Sequence, residues 1–107
     1  MNTIELIQTI ARRPGMYVDP ASVDSIYGFI QGFHFARSLH GGLDARDHWF
    51  AEQFHPWLQH RHNLAPMATW RDQVARLAEM RQAAPWSTFI EEFDRFLREG
   101  GEPAARA

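Results

Sequence analysis

The sequence predicts an all-α fold, a compact antiparallel bundle of about five helices. Three observations carry this. Apolar residues recur at three- and four-residue spacing in stretches punctuated by capping residues, Gly and Pro. No stretch alternates apolar and polar residues in the manner of a half-buried strand. The connections are short, so successive helices fold back on one another. A chain of 107 residues makes one domain. It is expected to span 1–101, with 102–107 as a frayed tail.

The first helix is predicted over about Thr3–Arg12. Asn2 caps it, with Glu5 three positions on to complete a capping box. Ile4, Ile7 and Ala11 share its apolar face, beside Leu6 and Ile10. Arg12 and Arg13 suit the negative end of the helix dipole. Pro14 stops the helix by disfavouring it at Arg13, and Gly15 is free to take a left-handed turn. Asp19-Pro20 marks a connection.

Ser22 caps a second helix from about Val23 to Leu39, which Gly41-Gly42 ends. Gly28, Gly32 and Ala36 stand four apart on it. Gly inside a helix costs about 1 kcal/mol relative to Ala, so two of them imply close packing. Ile26, Phe29, Ile30 and Phe33 flank this stripe, and the helix reads as the central one. The third segment, about Asp44–His62, spaces Trp49, Phe50, Phe54, Trp57 and Leu58 helically but contains Pro56. Pro in a helix interior costs about 3 kcal/mol. A helix that is short, or kinked at Pro56, is therefore expected. Thr69 caps the fourth helix, with Trp70, Val74, Leu77 and Ala78 inward, ending near Arg81. Ser87 or Thr88 caps the fifth, Thr88 and Glu91 forming a capping box. Phe89, Ile90, Phe93, Phe96 and Leu97 make its apolar face.

Composition narrows the function. Residues 1–50 hold four Arg against five acids, and residues 51–107 seven against eight, for a net charge of −2. Neither half forms a basic patch, so no nucleic-acid partner is expected. There is no cysteine, which excludes disulfides and thiolate chemistry and fits a cytoplasmic location. The first residues lack the pattern of a signal peptide, and no apolar run is long enough to span a membrane.

No nucleophile elbow, phosphate-binding loop or zinc-protease motif occurs. His55, His60 and His62 form the closest histidine set, and His48, His55 and His62 recur every seven residues. Neither spacing matches an i, i+4 zinc pair, so structural histidines are preferred over a metal site. Glu91, Glu92 and Asp94 are placed on a solvated face, with Glu91–Arg95 and Asp94–Arg98 as i, i+4 pairs. No cofactor and no catalytic residue is assigned. Of fourteen aromatic rings some are expected on the surface, with His48, Trp49 and Phe50 as candidates.

Arg13-Pro14-Gly15-Met16-Tyr17-Val18 resembles the Arg-Pro-Gly-Met-Tyr-Ile segment of type II topoisomerase ATPase subunits. Those enzymes carry a Glu and a Mg-binding Asn on the next helix. Here that region reads Phe29-Ile30-Gln31-Gly32-Phe33-His34, so ATP binding is not implied. Over its whole length the chain resembles a group of small bacterial helical proteins. The shared features are the loop from Arg13 to Tyr17, the helix with Ser22, Ile26, Phe29, Ile30, Gly32 and Phe33, the pair Phe54 and Trp57, a helix led by Trp70, and Phe89 with Phe93. That group includes proteins resembling toxin-immunity proteins.

The resemblance implies a non-enzymatic protein that neutralises a co-encoded bacterial toxin by occluding its active site or substrate surface. Arg12, Arg13, Tyr17 and Asp19 are the expected loop contacts, and Tyr17 has a competing reading as a core plug at this corner. Trp49 is a further contact, and Asp44, Asp47 and Glu52 supply negative charge. Two alternatives stand beside this reading. One is a small module that homodimerises through the Gly28 and Gly32 face. The other is a metal protein using His55, His60 and His62.

Overall fold

The computed structural model describes residues 1–17 and 22–103. It holds five α-helices: α1 (Thr3–Arg12), α2 (Val23–Ser38), α3 (Ala45–Arg61), α4 (Trp70–Arg81) and α5 (Pro85–Glu99). A short 3₁₀ turn, Pro14–Met16, follows α1. No strand occurs among the described residues. The Cα radius of gyration is 13.5 Å, close to the roughly 13 Å of a compact domain this long.

Local chemistry explains most helix starts. Asn2 Oδ1 accepts from the Glu5 N–H, and Glu5 Oε1 accepts from the Asn2 N–H, completing the expected capping box. Ser22 caps α2 through the Ser25 N–H, and Thr69 caps α4 through the Asp72 N–H. Asp44 and Asp47 form a second capping box at α3. The cap predicted for α5 is not used. That helix begins two to three residues before the proposed caps, with Pro85 in its first turn, where its fixed φ suits the helix. Ser87 and Thr88 instead donate their hydroxyls back to the Ala84 carbonyl. Gly15 stays out of the left-handed region; Gly41 and Gly101 enter it.

Of the two expectations at Pro56, a short helix and a kinked one, the short helix is not met. α3 is one helix of 17 residues that runs through Pro56. Pro56 lies on the exposed side, so the Glu52 carbonyl that loses its partner faces water. Phe50, Phe54 and Leu58 are buried on either side of it. Their burial, about 2 kcal/mol each, outweighs the local cost of the proline.

α3 carries Phe54, the centre of the aromatic core. It packs on α1, α4 and α5, while α2 packs on α1, α4 and α5. Phe54 is fully buried, with the rings of Phe50, Trp57, Trp70, Phe89 and Phe96 at centroid distances of 4.8, 6.3, 5.5, 6.1 and 5.2 Å. Trp49 stacks on Phe96 at 4.2 Å and donates its indole N–H to the Gly100 carbonyl. A Cβ on Gly100 would lie 2.7 Å from the Phe96 carbonyl oxygen, so only glycine fits at that corner.

α2 shares the neighbours α1, α4 and α5 with α3, but not through its small-residue stripe. Val23, Ile26 and Ile30 turn inward, while Gly28 and Gly32 face solvent with no atom within 4 Å of a Cβ built on either. Among the described residues no helix packs on the small-residue stripe.

Candidate protein-binding surface

Two buried carboxylates fix the geometry. Asp47, with no exposed surface, accepts from the Thr3 N–H and hydroxyl, each at 2.7 Å, and from the Asp44 N–H at 2.8 Å. Arg37 of α2 reaches it at 2.9 Å and also donates to the carbonyls of Met1 and Gly42. One carboxylate thus ties the start of α1, the end of α2 and the start of α3. Burial alone would push its pKa up. The hydrogen bonds from Asp44 and Thr3 and the Arg37 charge outweigh that and hold it below its ordinary value.

Glu92 does the same at the far end of α3. It is fully buried on α5 and meets His62 Nε2 at 2.6 Å and the Arg81 guanidinium at 3.0 Å. Here too burial raises the pKa, and the contacts with His62 and Arg81 lower it further than burial lifts it. This corrects the expectation of a solvated acidic face: Glu92 belongs to the interior. The sequence held a signal, since Glu92 sits three residues after Phe89 and four before Phe96. Asp47 sits three residues before Phe50 and seven before Phe54, on the same helical face. The expected Glu91–Arg95 pair is replaced by Glu91–Arg81 at 3.0 Å.

Of the residues assigned to a partner, Asp47 and Trp49 are therefore committed to the fold, and neither presents its side chain outward. Phe50 is also buried, which leaves His48 alone exposed from the expected aromatic patch. Asp44 and Glu52 are exposed. Asp19 lies outside the described residues. Arg12, Arg13 and Tyr17 are exposed at the other end of α1 from Asp44, about 15 Å along a ten-residue helix. Glu102 of the expected frayed tail pairs with Arg46 at 2.8 Å, and residues 104–107 lie outside the described residues.

The corner after α1 gathers a distinct surface. Tyr17 and Phe29 are 39% and 37% exposed and meet edge to face at 6.4 Å. Met16 beside them is 67% exposed. Arg12, Arg13, Met16, Tyr17 and Thr9 line a recess of about 290 Å³. Tyr17 is thus a surface residue supported by Phe29, not a core plug. Sequence reasoning missed Met16 and Phe29. Phe29 was assigned to a packed flank because α2 is apolar on most sides.

The histidines do not converge. His55 Nε2 hydrogen-bonds to the Met67 carbonyl at 2.8 Å, His62 engages Glu92, and His60 is exposed. Among the described residues no group of three or more His, Asp or Glu side chains is placed to hold a metal ion. A cleft of about 300 Å³ between α2, α3 and the start of α4 is walled by Tyr27, Phe50 and Trp70, with Thr3, Gln31, His34, His55 and Thr69 among its lining. No helix among the described residues is long and apolar enough to cross a membrane. Comparison with family models, characterised proteins and solved structures yields no match to this chain.

Proposed function

We propose that this chain is a non-enzymatic protein-binding domain that acts as an immunity protein, neutralising a co-encoded bacterial toxin by covering its active site or substrate surface. The observation that carries the reading is the corner where Arg12, Arg13, Met16 and Tyr17 stand exposed around one recess, with Phe29 packed edge to face on Tyr17. Arginine and tyrosine are among the residues that dominate binding energy at interfaces. They are held on a rigid frame here: the Asp47 knot anchors one end of α1, and Pro14 closes the other. A pre-formed surface loses little entropy on binding. A partner centred on this corner and extending onto the surface around it would bury about 800 Å² of this chain, the usual size for specific complexes.

The test is co-expression with the toxin encoded beside this gene. The chain is expected to restore growth and to bind the toxin stoichiometrically in titration calorimetry. Arg13→Glu with Tyr17→Ala is expected to weaken binding at least about 100-fold, as for two central contacts, and to abolish rescue while leaving the melting curve unchanged. Full rescue by that variant removes the corner from the interface. A neighbouring product that is harmless without this chain removes the immunity reading itself.

A further inference from the structure

The outward face of α2 carries an observation that the corner touches only at Phe29. Gly28, Gly32, Phe35 and Leu39 follow one another at spacings of four, three and four, which places them in one line along a helix. Phe35 and Leu39 are 64% and 66% exposed. Phe29, Gln31, Ala36 and Ser38 border the line and are exposed too. Charged residues make up 22% of the chain, yet α2 holds only Asp24, in its first turn, and Arg37, which turns inward to Asp47. From Ser25 to Leu39 the outer face is free of charge.

We propose that this face binds a second copy of the chain, α2 against α2, antiparallel about a two-fold axis. The size pattern selects that occupant and that direction. In the antiparallel register Gly28 faces Leu39 of the second copy and Gly32 faces its Phe35. Every layer then pairs a residue without a side chain with a large apolar one. Phe29 comes beside Ser38 of the second copy, and Gln31 beside its Ala36. A parallel pair would set Phe35 on Phe35 and Gly28 on Gly28, an overfilled layer next to an empty one. A two-fold contact brings each surface onto itself, so a charged strip would repel its own copy; this strip has no charge to repel. The helix dipoles also oppose each other favourably.

The area sets the strength. Half the surface of a 16-residue helix about 11 Å across is roughly 400 Å². Two copies bury about 800 Å², in the range of weak, reversible contacts. The dimer is therefore weak and concentration-dependent, with a dissociation constant in the micromolar range or above.

Sedimentation velocity and light scattering on the intact chain, from about 5 µM to about 1 mM, cover that range. The expected result is a monomer at the low end and a dimer at the high end. Phe35→Glu is expected to leave a monomer throughout with an unchanged melting curve, because the side chain is exposed in the monomer. Direction is read by cross-linking, since the chain has no cysteine of its own. Gly28→Cys and Leu39→Cys chains, one of them mass-tagged, are expected to form the mixed disulfide. In the antiparallel register two copies of position 28 stand about 16 Å apart, beyond the roughly 7 Å limit for Cα atoms of a disulfide. A monomer at about 1 mM overturns the proposal, as does a dimer indifferent to Phe35→Glu; self-linked Gly28→Cys chains overturn the antiparallel direction. Loss of toxin binding in Phe35→Glu from a chain that never dimerises gives the face to a foreign helix instead.

Discussion

Asp47→Ala separates a structural acid from a partner-facing one. The carboxylate takes four hydrogen bonds with no surface exposed: two from Thr3, one from the Asp44 N–H and one from Arg37. Its removal strands the Thr3 N–H and hydroxyl in the interior and leaves Arg37, already tied to the Met1 and Gly42 carbonyls, without its counter-charge. Breaking a buried pair by deleting one partner costs about 3–5 kcal/mol. The loss here is set near about 4 kcal/mol, because Arg37 is partly solvated and keeps two acceptors. Asp47→Asn retains an acceptor for Thr3 but meets the Asp44 N–H or Arg37 with a donor, so about 2 kcal/mol is expected. Urea unfolding followed by circular dichroism measures both. Acid titration adds a sign. The folded carboxyl titrates below its ordinary value, so its stabilisation is complete above the ordinary range and disappears as pH falls through the folded pKa. The gap between wild type and Asp47→Asn should therefore be full at neutral pH and shrink below about pH 4. A loss under about 1 kcal/mol for Asp47→Ala, or lost partner binding at unchanged stability, would refute this account.

Glu92→Gln is expected to cost about 2–3 kcal/mol, since one amide cannot accept from both His62 and Arg81. Its folded pKa is likewise depressed, so chemical denaturation should show that gap closing as pH drops below about 4; a gap that widens on acidification contradicts the assignment. Gln73→Met is expected to raise stability by about 1–2 kcal/mol, because both polar atoms of Gln73 are buried without a hydrogen-bond partner among the described residues. A lower thermal midpoint in that variant would show that the amide is satisfied in solution.

The two carboxylate knots give the bundle a simple logic. Asp47 and His62 stand near opposite ends of α3, about 22 Å apart along a helix. One knot holds α1 and α2 to the start of α3; the other holds α4 and α5 to its end. Between them lies the aromatic core around Phe54. Polar groups fix which helix ends meet, and apolar burial supplies most of the stabilisation.

The sequence by itself determined what depends on neighbours a few residues away. The all-α class, the cap at Asn2, the starts at Ser22 and Thr69, and the inward faces of α1 and α5 all follow from short-range spacing and backbone hydrogen bonding. Tertiary structure decided what depends on surfaces from distant parts of the chain. Pro56 breaks no helix because Phe50 and Phe54 are held by Trp70 of α4 and by Phe89, Phe93 and Phe96 of α5. Glu92 and Asp47 lie inside because Arg81 and Arg37, contributed by other helices, meet them there. α2 is apolar around most of its circumference, so periodicity could not say which side is buried. Packing on α1, α4 and α5 uses Ile26 and Ile30 and leaves Gly28, Gly32, Phe35 and Leu39 outward. A residue's own chemistry sets the helix it joins; which of its faces meets water is settled by the surfaces that the other helices bring to it.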